Sequence, residues 1–267
     1  MAIKLIKKAV LSGLLIMSLI LGNFYSLQVK GTSQNTYKTY LKLADSKSFI
    51  IADEYDYSTP VPKNATVSNS YFNDAVFIGD SRGVDLMIYT DIKDTKALPY
   101  CDVGLNVSTV FTKDFVNIKG TKVTVLSALK KKKKSFNKVY LMFGLNELGY
   151  SSVNAFIKQY AKLVDAVREI NKNAIIYVHC IVPVSKQRDN ISDTFTNVRI
   201  HKWNKYIEKM CKEKKLFYID AVSAFSGADG YLPDDAAYDG IHYKPSYSEK
   251  WLDYLKTRTL LVKEKEK

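Results

Sequence analysis

Cysteine is scarce. The 267 residues contain three, Cys101, Cys180 and Cys211, odd in number and widely spaced. That excludes a disulfide-rich scaffold and reads each as a buried free thiol. Histidine is equally rare, and His179, His201 and His242 are too scattered for a His-rich metal site. The glycine-flanked turn at 79–83 has neither the Gly-x-Gly-x-x-Gly spacing nor a Gly-Lys-Ser/Thr ending, which argues against a nucleotide-binding module. Acidic residues are outnumbered, 27 against 40 basic, for a formal net charge of +13. The excess favours anionic polymers or membrane surfaces as neighbours. No nucleic-acid recognition motif accompanies it, so no nucleic acid is expected as a partner.

What is present is the composition of a folded domain, 46% apolar and 25% charged. This excludes a disordered chain, a collagen-like repeat and a polytopic membrane protein. The N-terminus reads as an address. Lys4, Lys7 and Lys8 precede the apolar stretch at 9–22, and no good small-x-small cleavage site follows it. With Phe24, Tyr25 and Leu27 the mostly apolar stretch reaches about 19 residues, just enough to span a bilayer. Residues 1–30 are therefore read as a signal peptide or an uncleaved membrane anchor, with the body extracytoplasmic. No cysteine lies near the segment to carry a lipid.

Residues 31–70, rich in Ser, Thr, Tyr, Asn and Lys, read as a spacer with one short helix around YKTYLKLADS. From about residue 71 the pattern changes. AVFIG (75–79), KVYLMFG (138–144), AIIYVHC (174–180) and LFYID (216–220) are short apolar runs of the kind found in a parallel sheet buried on both faces. ALPYCDV (97–103) is a weaker candidate. Between them, Val153, Phe156, Ile157, Tyr160, Leu163, Val164, Val167 and Ile170 form one helical stripe. Two more helices are expected, at 198–214 and after Pro245. The lysine run 130–134 reads as a solvated helix end or, alternatively, as a surface patch that holds the protein near anionic lipid or wall polymer. Alternating strands and helices predict a three-layer α/β/α domain over 71–267, with its chemistry at the C-terminal ends of the strands.

Four motifs sit at those ends. The first strong strand runs into Gly79-Asp80-Ser81-Arg82-Gly83, a turn that can expose the Ser81 hydroxyl and free its N–H for an anion. The second ends in Asp102-Val103-Gly104-Leu105-Asn106, where Gly104 permits close backbone approach. The third ends in Phe143-Gly144-Leu145-Asn146-Glu147, and Asn146 can offer an amide donor. Near the C-terminus Asp239 precedes His242 by three residues, a spacing that lets the acid fix the imidazole tautomer. His179, in a strand, and His201, on a charged helix, are read as structural and surface residues.

In this order the motifs resemble the SGNH hydrolases, also called GDSL esterases/lipases, over about residues 71–260. The resemblance implies that Ser81 is the nucleophile, Asp239 and His242 its acid and base, and Gly104 and Asn146 oxyanion donors. Glu147 replaces the Asp of the family's Gly-x-Asn-Asp block, keeping the charge on a longer arm. The resemblance also implies a flavodoxin-like order of five parallel strands and no metal or organic cofactor. The expected function is an extracytoplasmic serine esterase acting on a small acyl ester, acetyl first, of an envelope or other carbohydrate. The alternatives are a lysophospholipase or lipid esterase at the membrane surface, and an inactive envelope-binding module. The expected partners are an O-acylated glycan or lipid substrate and, through the N-terminal segment, the membrane. Tyr150, Tyr231, Tyr238 and Tyr243 lie near the motif loops, where they either stack on sugar or pack in the loops.

Overall fold

A computed structural model describes residues 55–260. The segment read as a signal or anchor, and the helix read around YKTYLKLADS, lie outside the described residues. Among the described residues no helix is long and apolar enough to cross a membrane.

Five strands form one parallel sheet: β1 (Ala75–Gly79), β2 (Leu98–Cys101), β5 (Lys138–Met142), β6 (Ile175–His179) and β7 (Phe217–Ile219). Their order is β2-β1-β5-β6-β7, with every neighbouring pair parallel. This is the flavodoxin-like order, which reverses direction at β1. A separate antiparallel hairpin, β3 (Val116–Ile118) and β4 (Thr121–Val123), lies between β2 and β5 in the chain. The helices are α1 (Ser81–Tyr89), α2 (Val125–Lys132), α3 (Val153–Ile170), α4 (Lys186–Ile191), α5 (Asn197–Lys214), α6 (Val222–Phe225) and α7 (Pro245–Lys256). Helices α1 and α7 pack together, and α3 packs on both α2 and α5, which covers the sheet with helices and completes an α/β/α domain.

The strands hold because their side chains meet in register on both faces. Phe77, Tyr140, Tyr177 and Phe217 are cross-strand neighbours. Their rings form a row, with Phe77 and Tyr140 stacked at 4.7 Å, Tyr140 and Tyr177 stacked at 4.7 Å, and Tyr177 and Phe217 tilted to each other at 5.7 Å. All four are buried. Such pairs are each worth about 0.5–1.5 kcal/mol beyond the area they bury. Ile78, Leu141 and Val178 make the corresponding row of the alternate register. Of the thiols, Cys180 and Cys211 are buried, whereas Cys101 on the edge strand β2 is partly exposed.

Residues 55–67, within the stretch read as spacer, lie on the domain. The Val61 N–H donates to Tyr218 C=O at 2.8 Å, and Asn64 N–H donates to Thr257 C=O at 2.8 Å. Tyr55 and Tyr57 pack on the Phe217 ring at 4.9 and 5.2 Å. This segment covers the exposed side of β7, an edge strand whose backbone groups otherwise invite another chain.

Candidate active site

Gly79, the last residue of β1, pairs with Cys101 of β2 on one side and Met142 of β5 on the other. The loops after these three strands are therefore adjacent, and they carry Ser81, Gly104 and Asn146. Asp80 caps α1, its carboxylate accepting the Arg82 N–H at 3.0 Å. Ser81 is then the first helical residue, where a backbone N–H has no acceptor within the helix. Its side chain meets the loop between α6 and α7.

That loop brings in the imidazole. His242 Nε2 lies 3.0 Å from Ser81 Oγ, and Nδ1 lies 2.9 Å from Asp239 Oδ2. With the Nδ1–H donating to the carboxylate, Nε2 presents its lone pair to the serine hydroxyl. The other Asp239 oxygen accepts the Ile241 N–H at 3.0 Å and the His242 N–H at 2.9 Å. Burial alone raises the Asp239 carboxyl, but the His242 backbone and ring and the Ile241 N–H more than reverse this and hold it at about 2. It is an anion at any ordinary pH.

The carbonyls of the loop are also held. Arg188 Nε donates to Asp239 C=O at 3.2 Å and Arg82 Nε to Ile241 C=O at 3.0 Å. Ser185 N–H donates to Gly240 C=O at 3.1 Å and Tyr238 N–H to His242 C=O at 2.9 Å. Gly240 has φ +81°, and a Cβ there would stand 2.3 Å from Ser185 Oγ, so only glycine fits. Arg82 is buried and ties three segments together. Besides Ile241 it reaches Val182 C=O at 2.7 Å and Pro183 C=O at 3.3 Å, with its guanidinium 5.0 Å from the centre of the Tyr243 ring.

On the other side of Ser81, Gly104 occupies a turn with φ +72°. The turn's hydrogen bond runs from Leu105 N–H to Asp102 C=O at 3.1 Å, so it does not use the Gly104 N–H. Asn146 Nδ2 donates to Leu105 C=O at 3.0 Å, which occupies one of its two amide hydrogens. Glu147 is fully buried; its Oε1 accepts the Val107 N–H at 2.7 Å and its Oε2 the Gly144 N–H at 2.8 Å. Burial pushes this carboxyl up to about 7 against those hydrogen bonds, with the charge of Asp80 adding to the rise. Burial likewise pushes Asp80 up to about 6 despite the Arg82 guanidinium.

Ser81, His242 and Asp239 are thus joined by direct hydrogen bonds, while Gly104 and Asn146 stand on the two flanking loops. His179 is a core residue. Its Nε2 accepts the Trp251 indole N–H at 2.7 Å and its Nδ1 donates to Cys180 C=O at 2.9 Å, and burial lowers it to about 4. His201 is exposed on α5. Among the tyrosines, Tyr243 is buried against Arg82, Phe225 and Trp251 and is not available to a sugar. Tyr150 hydrogen-bonds within its loops, to Ser108 Oγ at 3.2 Å. Tyr238, next to Asp239, is 65% exposed. The sequence reading missed Arg82 and Arg188 as supports of the His242 loop. Only the position of Arg82 beside Ser81 offered a signal.

The family model described as GDSL-like Lipase/Acylhydrolase family matches residues 103–246, a span that begins after the Ser81 turn and includes Asn146, Asp239 and His242. A search of curated proteins returned no significant match. Solved structures share the fold. A protein from Streptococcus pneumonia, provisionally described as a platelet activating factor, superposes with a TM-score of 0.53 at 14% identity, covering 90% of this chain and 97% of its own. A GDSL-like lipase from Bacteroides thetaiotaomicron VPI-5482 gives 0.51 at 14% identity, covering 72% and 87%. A protein from Bacteroides fragilis NCTC 9343, provisionally described as an acylhydrolase, gives 0.51 at 14% identity, covering 76% and 94%.

Proposed function

The chain belongs to the GDSL-like Lipase/Acylhydrolase family, and on that premise we propose that it is an extracytoplasmic serine esterase that removes a short acyl group, acetyl first, from a carbohydrate of the cell envelope. Ester hydrolysis is the chemistry of the family; the residue roles, the substrate and the location are our reading. The observation that carries it is the unbroken chain of hydrogen bonds from Asp239 through His242 to Ser81.

In this reading Nε2 of His242 takes the Ser81 proton as Oγ attacks the ester carbonyl. Asp239 stabilises the imidazolium that forms. The N–H groups of Ser81 and Gly104 and the free amide hydrogen of Asn146 receive the oxyanion. His242 then gives its proton to the departing alcohol, and in the second half it activates water to release the acid. Each oxyanion donor of this kind is worth roughly 3 kcal/mol in the transition state.

One feature supports a carbohydrate, and the choice of a short acyl group follows from the resemblance and the extracytoplasmic setting. Exposed Tyr238 beside Asp239 offers a ring of the kind that stacks on sugars. The extracytoplasmic setting rests on Lys4, Lys7 and Lys8 ahead of the apolar run.

The test is a series of activated esters from acetate to octanoate, together with an O-acetylated glycan, assayed with the full chain and with Ser81→Ala. We expect hydrolysis of acetate, falling activity beyond about four carbons, and near-background turnover in Ser81→Ala. An apolar acyl groove would instead add about 0.8 kcal/mol of binding per methylene, so a preference for eight carbons or more marks a lipid esterase. Inactivity on every ester marks a binding module.

A further inference from the structure

Glu147 stands where the family motif has Asp, and its longer arm has a use. Val107, which donates to one carboxylate oxygen, lies three residues beyond Gly104 on the loop after β2. Gly144, which donates to the other, lies two residues before Asn146 on the loop after β5. One buried side chain therefore spans the gap between the two loops that carry the oxyanion donors assigned above. Asn146 Nδ2 crosses the same gap in the other direction, to Leu105 C=O.

We propose that Glu147 is a positioning residue that sets the separation of the Gly104 and Asn146 donors by holding the Val107 and Gly144 backbones on its two oxygens. The proposal rests on the oxyanion roles given to Gly104 and Asn146. The chemistry is specific to a carboxylate of this length. Glutamine has one acceptor oxygen and would turn its NH₂ against an N–H. Aspartate keeps both oxygens but is shorter by one carbon–carbon bond, about 1.5 Å, so it cannot hold both loops where they stand. Displacement on that scale at a reacting centre costs about 10²-fold in rate.

The test is a double-mutant cycle. Glu147→Gln and Glu147→Asp are made in the natural sequence and in Asn146→Ala, and kcat and KM are measured on a short acyl ester, with melting curves to establish folding. We expect Glu147→Asp to lower kcat by up to about 10²-fold and Glu147→Gln by at least as much, each with KM within about twofold. In Asn146→Ala, where one of the positioned donors is gone, the same changes should cost under about fivefold. Glu147→Asp, which keeps the charge and both acceptors, carries the cycle if Glu147→Gln does not fold. Equal losses in the two backgrounds, or kcat unchanged in folded variants, would overturn the proposal. Failure of the oxyanion reading looks different, because Asn146→Ala alone would then leave kcat unchanged.

Discussion

Three carboxylates around Ser81 differ because their surroundings differ. Asp239 is part exposed and receives three hydrogen bonds that favour its charge. Asp80 and Glu147 are both buried, and desolvation outweighs the N–H groups they accept. The consequences for stability have opposite signs. A carboxyl raised on folding binds its proton more tightly in the folded state, so stability falls as pH climbs from the ordinary value to the raised one. For Asp80 that window runs from 3.8 to about 6, and for Glu147 from 4.5 to about 7. Asp239 contributes stability that is present above 3.8 and lost as pH falls towards about 2. His179, lowered by burial to about 4, works the other way up to pH 6.5, so the readout is the comparison: calorimetry should find the change in Tm from pH 5 to pH 8 less negative, or more positive, in Glu147→Gln than in the natural sequence. An unchanged pH dependence of Tm in folded Glu147→Gln would contradict the Glu147 assignment. None of the three behaviours is legible in the sequence, because burial and partners decide them; Glu147 could be marked only as a departure from the family motif.

Secondary structure was legible where a single physical signal dominated. The run AVFIG and strand β1 coincide, and β5, β6 and β7 fall inside their runs, because strands covered on both faces have no reason to alternate. Strand β2 was weaker in the sequence because it is an edge strand with Pro99 exposed. The β3–β4 hairpin and α4 had no pattern to find. Thr121 and Lys122 are exposed, and α4 buries none of its residues. The ring row across β1, β5, β6 and β7 also required register, which single runs do not carry. It makes Tyr140 a keystone, since its ring stacks on both Phe77 and Tyr177. Replacing Tyr140 by Ala should cost about 3–5 kcal/mol in a urea titration. A loss under about 1 kcal/mol would mean that the row contributes little to the sheet.

Over the whole molecule, the site depends on contacts that sequence order hides. Ser81 and His242 are 161 residues apart and meet through one hydrogen bond. The motifs could be ordered along the chain, and the resemblance gave them roles, but their meeting is a property of the strand order. Arg82 and Glu147 join loops distant in sequence, so the supports of the site emerge only from the fold. Residues 55–67 extend the same lesson to the edge of the sheet, where apolar Val61 and Val67 lie buried in a stretch whose polar composition reads as spacer. The central claim is that this architecture activates one particular hydroxyl. Its most direct measurement is covalent labelling with a fluorophosphonate, which forms a stable adduct on an activated serine, located by mass spectrometry of the digested full chain. The account predicts a single adduct on the peptide that carries Ser81, absent in Ser81→Ala and slowed at least tenfold in Asp239→Asn. Labelling of another residue, or undiminished labelling of Ser81→Ala, would contradict it.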